Sequence, residues 1–461
     1  MSDSLTEQLE AIARKHGAPG FGVAGVEPFH RERVEIRSRK QSGLAGPLRF
    51  TYDDPDLATD VTVSFPWGRS LVVVAWSYLG SGAAPAGKGA VVGRFATTDQ
   101  YQGVRLILSE LASLLHRDGY RAETLIDDNR LVDRAAAVRS GVGWTGKSTM
   151  TLVPGPGPWV LLGSLVTDAP LTISEPMSRS CGVCTACIPA CPTNALGDWG
   201  LDARRCLSTW LQTPGSLPHW IRPRLGRRIY GCDDCLEACP PGRRALAGAG
   251  EPGSLPFSAL LELGDEALVE RFDWWYVPRR DGRYLRRNLL VAAGNSGEPE
   301  ARESIERHMR HPSSMIRGHA AWALARSLGL AAAPVLRTAL ETETAPETRE
   351  ELRLAGFMVE RPGAHRELLA ADEWARGQSA VRGLALVGHD AEMELLLVGA
   401  PDRQGAQPES GGHRELRAIS LPMDELFDRT APVDDLSRVY DPDRILGRWR
   451  TTLRLTASLQ V

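Results

Sequence analysis

The sequence predicts an α+β protein in which a mixed helix and strand region gives way to a small cysteine-bound module and then to stacked helices. Apolar runs of strand length alternate with helical periodicity over roughly residues 1 to 170. All eight cysteines fall between Cys181 and Cys239, and beyond residue 250 a helical pattern recurs at about 31 residues.

At 461 residues the chain can bury more than one core. With 43% hydrophobic and 24% charged residues its composition is that of an ordinary globular protein, which argues against global disorder. The N-terminus is polar and helical in pattern, unlike a signal peptide. The longest apolar runs, Leu71 to Trp76 and Trp159 to Val166, are too short to span a bilayer. A cytoplasmic location is expected, which suits reduced thiols. The net charge of −3 argues neither for nor against a nucleic-acid partner. Lysine occurs only at Lys15, Lys40, Lys88 and Lys147, so arginine carries nearly all the positive charge and its abundance is weak evidence for phosphate binding.

A helix is predicted from about Leu5 to His16, and the Gly-rich stretch after it leads into an edge strand. Ser70 to Leu79 is continuous, β-branched and bounded by glycine-containing segments, the pattern of a buried strand. Helical spacing from Tyr101 runs to a stop at Gly119. A strand over RAETLID and a helix over VDRAAAVRSG follow, and GKSTMTLVPGPGPWVLLGSLVTD reads as two strands joined by a Pro/Gly turn.

Asp127 and Asp128 end the RAETLID strand, where open sheets place ligands. A carboxyl with a raised pKa is a good proton donor; capping and plain solvent exposure are the competing roles. Asp133 and Arg134 lie on the next helix, where a local ion pair is the bland reading. Neither a dinucleotide-binding G-x-G-x-x-G nor a phosphate-binding P-loop is present, and GVGWTGKST reads as a turn between helix and strand.

The cysteines are more specific. CGVCTACIPACP gives Cys181, Cys184, Cys187 and Cys191 the spacing C-x2-C-x2-C-x3-C-P of ferredoxin-like cluster binding. CDDCLEACP adds Cys232, Cys235 and Cys239, and Cys206 stands alone between the two motifs. Two cubanes need eight thiolates, so one 4Fe-4S cluster is expected on Cys181, Cys184, Cys187 and Cys239 and the other on Cys191, Cys206, Cys232 and Cys235. Zinc does not require this crossed spacing, and disulfides fit a cytoplasmic chain poorly.

In the helical region Arg286 aligns with Arg317, Asn288 with His319 and Ala292 with Ala323, and a weaker copy begins near Thr348. This resembles HEAT-type helical pairs, with ordinary helix packing as the alternative. Beyond residue 400 the sequence reads as a linker and a tail.

The segments IDDNRLVDRAAAVRSGVGWTGKS, PWVLLGSLVTD, CGVCTACIPACPTNAL, DARRCLST and GRRIYGCDDCLEACP together resemble the epoxyqueuosine reductase family over roughly residues 10 to 330. The resemblance implies an oxidoreductase that converts epoxyqueuosine to queuosine at the wobble position of tRNA, with cobalamin and two 4Fe-4S clusters as cofactors. It implies a nitroreductase-like or reductive-dehalogenase-like cobalamin domain over 1–175, a ferredoxin-like module over 176–250 and HEAT-like repeats for tRNA over 251–395. Residues 396–461 are expected to be a linker and tail of unknown role.

By the same resemblance Asp127 is the catalytic acid, and Asp133 and Arg134 close its motif. Asn129 and Arg130 replace the family's Gly-Pro, which puts the loop's shape in doubt. Tyr101 matches a site tyrosine, and Gln102 stands where relatives carry histidine. Trp144, Gly146 and Lys147 match a motif near the corrin, and Ser208 a position that approaches the cofactor. Arg283, Arg286, Arg287, Arg317 and His319, at equivalent places in the repeats, are expected to form a ridge along a phosphate backbone. Reduced ferredoxin or flavodoxin is the expected electron donor and a monomer the expected state. A reductive dehalogenase acting on a small molecule, or a non-enzymatic electron carrier, are the alternatives.

Overall fold

An antiparallel sheet of four strands organises the first part of the chain. The computed structural model describes residues 2–80, 88–250, 253–360 and 362, together with strands at 381–389 and 392–399. The linker and tail expected beyond residue 400 lie outside the described residues.

Helix α1 (Ser2–Lys15) precedes β1 (Gly20–Gly25), and β2 is Ser70–Ser77. Helix α2 (Tyr101–Arg117) leads to β3 (Ala122–Leu125), α3 (Asp133–Arg139) and β4 (Val160–Thr167). The sheet order is β1-β2-β4-β3, so β1 is the edge strand that the sequence predicts. All three pairings are antiparallel, with Val73 of β2 opposite both Gly22 and Ser164.

Both faces of β2 are buried, which is why its sequence is uninterrupted rather than alternating. Val72 and Val74 pack with Leu5 and Leu9 of α1 and with Val104, Ile107, Leu108 and Leu111 of α2. Leu71, Val73 and Ala75 face the other layer, against Ala136 and Ala137 of α3 and Phe29. Gly119, at φ 87°, turns the chain out of α2 where the sequence predicts the stop.

The two strands expected on either side of the Pro/Gly turn are present as Thr151–Leu152 and β4, and Thr151–Leu152 pairs with Trp144–Thr145. The proline-glycine segment between them therefore hands the chain from a small ribbon to the sheet.

The chain divides into two compact units, Met1–Leu217 with Arg224–Ala301, and Pro218–Pro223 with Arg302–Val461. The first also holds the cysteine module and helix α4 (Arg283–Ser296), which is buried over nearly its whole girth.

In the second unit, α5 (Arg302–His308) is followed by α6 (Ser314–Leu328), α7 (Ala333–Thr342) and α8 (Pro346–Glu360). Gly318 lets α8 approach α6, since a Cβ there would meet Glu351 Cγ at 2.8 Å. Glu351 accepts from both terminal nitrogens of Arg222, at 2.8 and 2.6 Å, and lies 3.0 Å from His219 Nε2. Burial alone would raise this carboxyl, but Arg222 and His219 outweigh it and hold it well below the usual range. A hairpin, Val381–His389 with Glu392–Gly399, stands where the sequence reading continues the helices. Among the described residues no helix is long and apolar enough to cross a membrane.

Candidate functional site

The site starts at the loop between β3 and α3. Asp127 adopts a left-handed backbone, φ 49°, a conformation that Asp tolerates better than most residues. Its neighbour Asp128 folds back on the loop, accepting from the Arg130 backbone N–H at 2.9 Å and from Arg130 Nη2 at 2.6 Å. The departure from Gly-Pro thereby acquires a structural sense, because a proline at position 130 would have no N–H to give. These bonds hold Asp128 below the ordinary carboxylate range.

Asp127 is different. Its residue is open to solvent on one side, yet enough protein surrounds the carboxyl for desolvation to raise it, with Arg134 opposing and Asp128 adding to the rise. Asp133, at the start of α3, is pushed up to about 8 by burial and then by Asp127, and its Oδ1 is buried without a hydrogen-bond partner. Arg134 Nη1 is anchored on the Thr149 carbonyl at 3.0 Å.

Tyr101 opens α2 close enough to feel both acids. Burial first, then Asp127, Asp133 and Tyr230, drives its hydroxyl well above the ordinary phenol range, so it stays protonated. Gln102, beside it, is exposed.

Tyr230 belongs to this group, although the sequence reading passed over it. Its ring stacks on Trp275 with centroids 4.4 Å apart, and Trp275 stacks on Phe272 at 3.9 Å. Its hydroxyl reaches Gln212 Oε1 at 3.3 Å and the Tyr276 carbonyl at 3.2 Å. Gln212 in turn donates to Ser208 Oγ at 3.1 Å. Ser208 is thus joined through Gln212 to Tyr230, and Tyr230 lies two residues before Cys232. That position in GRRIYGC was the available signal.

The eight thiols separate into two sets. Cys239, Cys181 and Cys184 are near enough to raise Cys187, and Cys181 and Cys184 likewise act on Cys239, in each case after burial. Cys232, Cys206 and Cys191 act on Cys235, again after burial. Each set draws thiols from more than one of the sequence's cysteine motifs. Among the described residues no three His, Cys, Asp or Glu converge tightly enough for a single metal ion; a cubane spreads its four thiolates over four separate irons.

GVGWTGK wraps the first set. Lys147 donates its backbone N–H to Cys181 Sγ at 3.4 Å, and Trp144 packs in an apolar cluster with Leu152 and Cys239, against which Cys181 also lies. The Lys147 side chain is buried, 3.1 Å from Asp198 Oδ1 and over the Trp199 ring. Gly146 binds the Met150 carbonyl in the turn behind it at 2.8 Å. In the second set, Cys191 Sγ accepts from the Ala195 N–H at 3.2 Å.

The expected arginine ridge is not what these side chains form. Arg287 is 0% exposed and donates to the carbonyls of Gly215, Trp210 and Thr213. Arg286, 4% exposed, binds Asp265 and the Leu261 and Leu263 carbonyls. His319 is 1% exposed with Nδ1 at the Met315 carbonyl, and Arg317 is paired with Glu343 at 2.6 Å. Only Arg283 keeps substantial exposure, 49%, and it is paired with Asp281. Guanidiniums buried among internal acceptors turn their donors inward rather than toward a phosphate backbone.

An α+β domain that brings two coupled carboxyls and two tyrosines up to a double set of four thiolates defines an iron–sulfur redox protein. Residues 180–242 match the 4Fe-4S double cluster binding domain family, and residues 279–355 match HEAT repeats. The epoxyqueuosine reductase of Xanthomonas campestris pv. campestris is 30% identical over 349 residues, covering 69% of this chain and 95% of the relative. That of Bacillus cereus is 28% identical, covering 76% and 96%. A crystal structure of epoxyqueuosine reductase with an epoxyqueuosine-modified tRNA-Tyr stem loop superposes with a TM-score of 0.71 at 27% identity, covering 77% of this chain and 99% of the other. The chain belongs to the epoxyqueuosine reductase family.

Proposed function

We propose that this protein reduces epoxyqueuosine to queuosine at the wobble position of tRNA, with Asp127 as the proton donor. The observation that carries the reading is the setting of Tyr230, which lies two positions before Cys232 of the second thiol set, is near enough to Asp127 to feel its charge, and has its hydroxyl joined through Gln212 to Ser208. Proton delivery and electron delivery therefore meet at one place.

The crossed thiol sets fit two 4Fe-4S clusters, Cys181, Cys184, Cys187 and Cys239 holding one and Cys191, Cys206, Cys232 and Cys235 the other. For cobalamin the surrounding chemistry also fits, because carboxyls, phenols and a serine, rather than an imidazole, make up the interacting set and a weakly ligated corrin is the more reducible form. Arg134, Gly146 and Ser208 would border it, and Trp144 and Lys147 serve the first cluster. When bound, these groups supply the two electrons.

The chain's own residues do the rest. Asp127, raised by desolvation and open on one side, gives its proton to the epoxide oxygen as a carbon–oxygen bond breaks, which avoids an alkoxide leaving group. Tyr101 keeps its proton and orients the oxygen by hydrogen bonding. Residues 1–175 carry this chemistry, 176–250 the clusters and 251–395 a tRNA-binding surface. Reduced ferredoxin or flavodoxin supplies the electrons to a cytoplasmic monomer.

The test is a single turnover of epoxyqueuosine-containing tRNA by anaerobically reconstituted protein. Queuosine should form, and Asp127→Asn should slow the reaction by about 10²- to 10⁴-fold with its cofactors retained. No conversion by fully loaded, reduced parent protein would rule the substrate out.

A further inference from the structure

Opening an epoxide to an alkene consumes more acid than one carboxyl holds. Both carbon–oxygen bonds break, a carbon–carbon double bond forms, two electrons enter and the oxygen departs as water. Two protons are therefore required, and Asp127 carries one.

The candidates for the second can be ranked from their surroundings. Asp128 is locked to Arg130 and stays ionised. Tyr101 is held above the ordinary phenol range and is a poorer acid than any carboxyl nearby. Tyr230 points its hydroxyl at Gln212 and the Tyr276 carbonyl. Asp133 remains. Its Oδ1 is buried and unpartnered, an arrangement costly for a carboxylate and far less so for a neutral acid.

Its environment supports the same state. Burial raises it most, the ionised Asp128 adds to the rise, as does Asp127 once its own proton has gone, and Arg134, which opposes, spends an N–H on Thr149. A carboxyl buried beside a second acid gives up its proton less readily than one in water.

We propose that Asp133 supplies the second proton of the reduction, recharging Asp127 after the first has gone to the epoxide oxygen. It is a positioning residue, acting through Asp127 rather than touching the substrate. The inference rests on the epoxide-reducing function proposed above. The balance is closed: Asp127 protonates the oxygen as the first carbon–oxygen bond breaks, Asp133 passes its proton to Asp127, and Asp127 delivers it as the second bond breaks and water leaves. Solvent reprotonates Asp133 between turnovers.

The experiment uses the reconstituted full chain, its Asp133→Asn and Asp133→Glu variants, and Asp127→Asn. Infrared difference spectra of protein carrying ¹³C-labelled aspartate, recorded without tRNA, should show a protonated carboxyl that ionises near pH 8, and Asp133→Asn should lack it. In single turnover Asp133→Asn should be slower by roughly 10²-fold, the low end for a positioned acid. It should also lose the parent's fall in rate above pH 8, and Asp133→Glu should restore both. An ionised Asp133 at pH 7, or an Asp133→Asn variant with the parent's rate and pH profile, overturns the relay alone. Absence of turnover in the loaded parent overturns the function and the relay together.

Discussion

Lys147 aims its backbone N–H at Cys181 Sγ across 3.4 Å, while its ammonium is drawn the other way, to Asp198 at 3.1 Å. The hydrogen bond belongs to the backbone and survives any side-chain change except proline, whereas the charge can be removed separately. A nearby positive charge and N–H donors to sulfur both favour the reduced state of a cluster. Lys147→Met should therefore lower the reduction potential of the cluster on Cys181, Cys184, Cys187 and Cys239 and leave the other unchanged. A redox titration followed by electron paramagnetic resonance checks this; equal shifts in both clusters would disprove it.

Crossed ligation makes a prediction that sequence neighbours would not suggest. Cys187 opens and Cys191 caps the same four-residue helix, yet their thiols belong to different sets. Cys191→Ala should cost the same cluster as Cys206→Ala, and Cys187→Ala the same cluster as Cys239→Ala. Iron content should fall by about half in each, with identical residual spectra within each pair.

Arg287 offers a test of the corrected role. It satisfies three backbone carbonyls from a fully buried position, so Arg287→Met strands those acceptors at a cost on the order of 3 kcal/mol. The denaturant midpoint should drop accordingly. At temperatures where the variant is folded, the salt dependence of tRNA binding should match the parent's, whereas loss of a phosphate contact would flatten it.

Asp133 also links stability to pH. Burial, then Asp127, raises it to about 8 in the folded chain from 3.8, with Arg134 opposing. Between those values the folded state binds the extra proton, so this group makes stability fall as pH rises, with no contribution to the slope below or above the interval. Asp133→Asn should remove that slope. Urea unfolding at pH 5 and pH 8 should show the variant gaining on the parent at the higher pH; a constant difference would contradict the assignment.

The parts legible in the sequence were those fixed by local pattern. The continuous run at β2 announced a strand buried on both faces, and Gly119 the end of α2. Ligand counting separated the cysteines because a cubane's demand for four thiolates leaves little freedom. Arg286 and Arg287 were misjudged because repeat equivalence says which residues correspond, not which way a helix faces. Helix α4 is surrounded, so its guanidiniums serve neighbouring carbonyls instead of solvent. Tyr230 escaped notice because its partners, Asp127, Gln212 and Trp275, are distant in sequence. The unpaired Oδ1 of Asp133 likewise depends on packing that no spacing rule describes.

Under the crossed assignment each cluster takes its final ligand near the end of the cysteine region, Cys235 for one and Cys239 for the other. During synthesis neither can be completed when the first motif emerges from the ribosome, however well formed that loop is. Both must wait for the same few residues. Metal loading is thereby scheduled as one late event, and a chain truncated before Cys235 is left with open thiols and no finished cofactor rather than with half of a working wire.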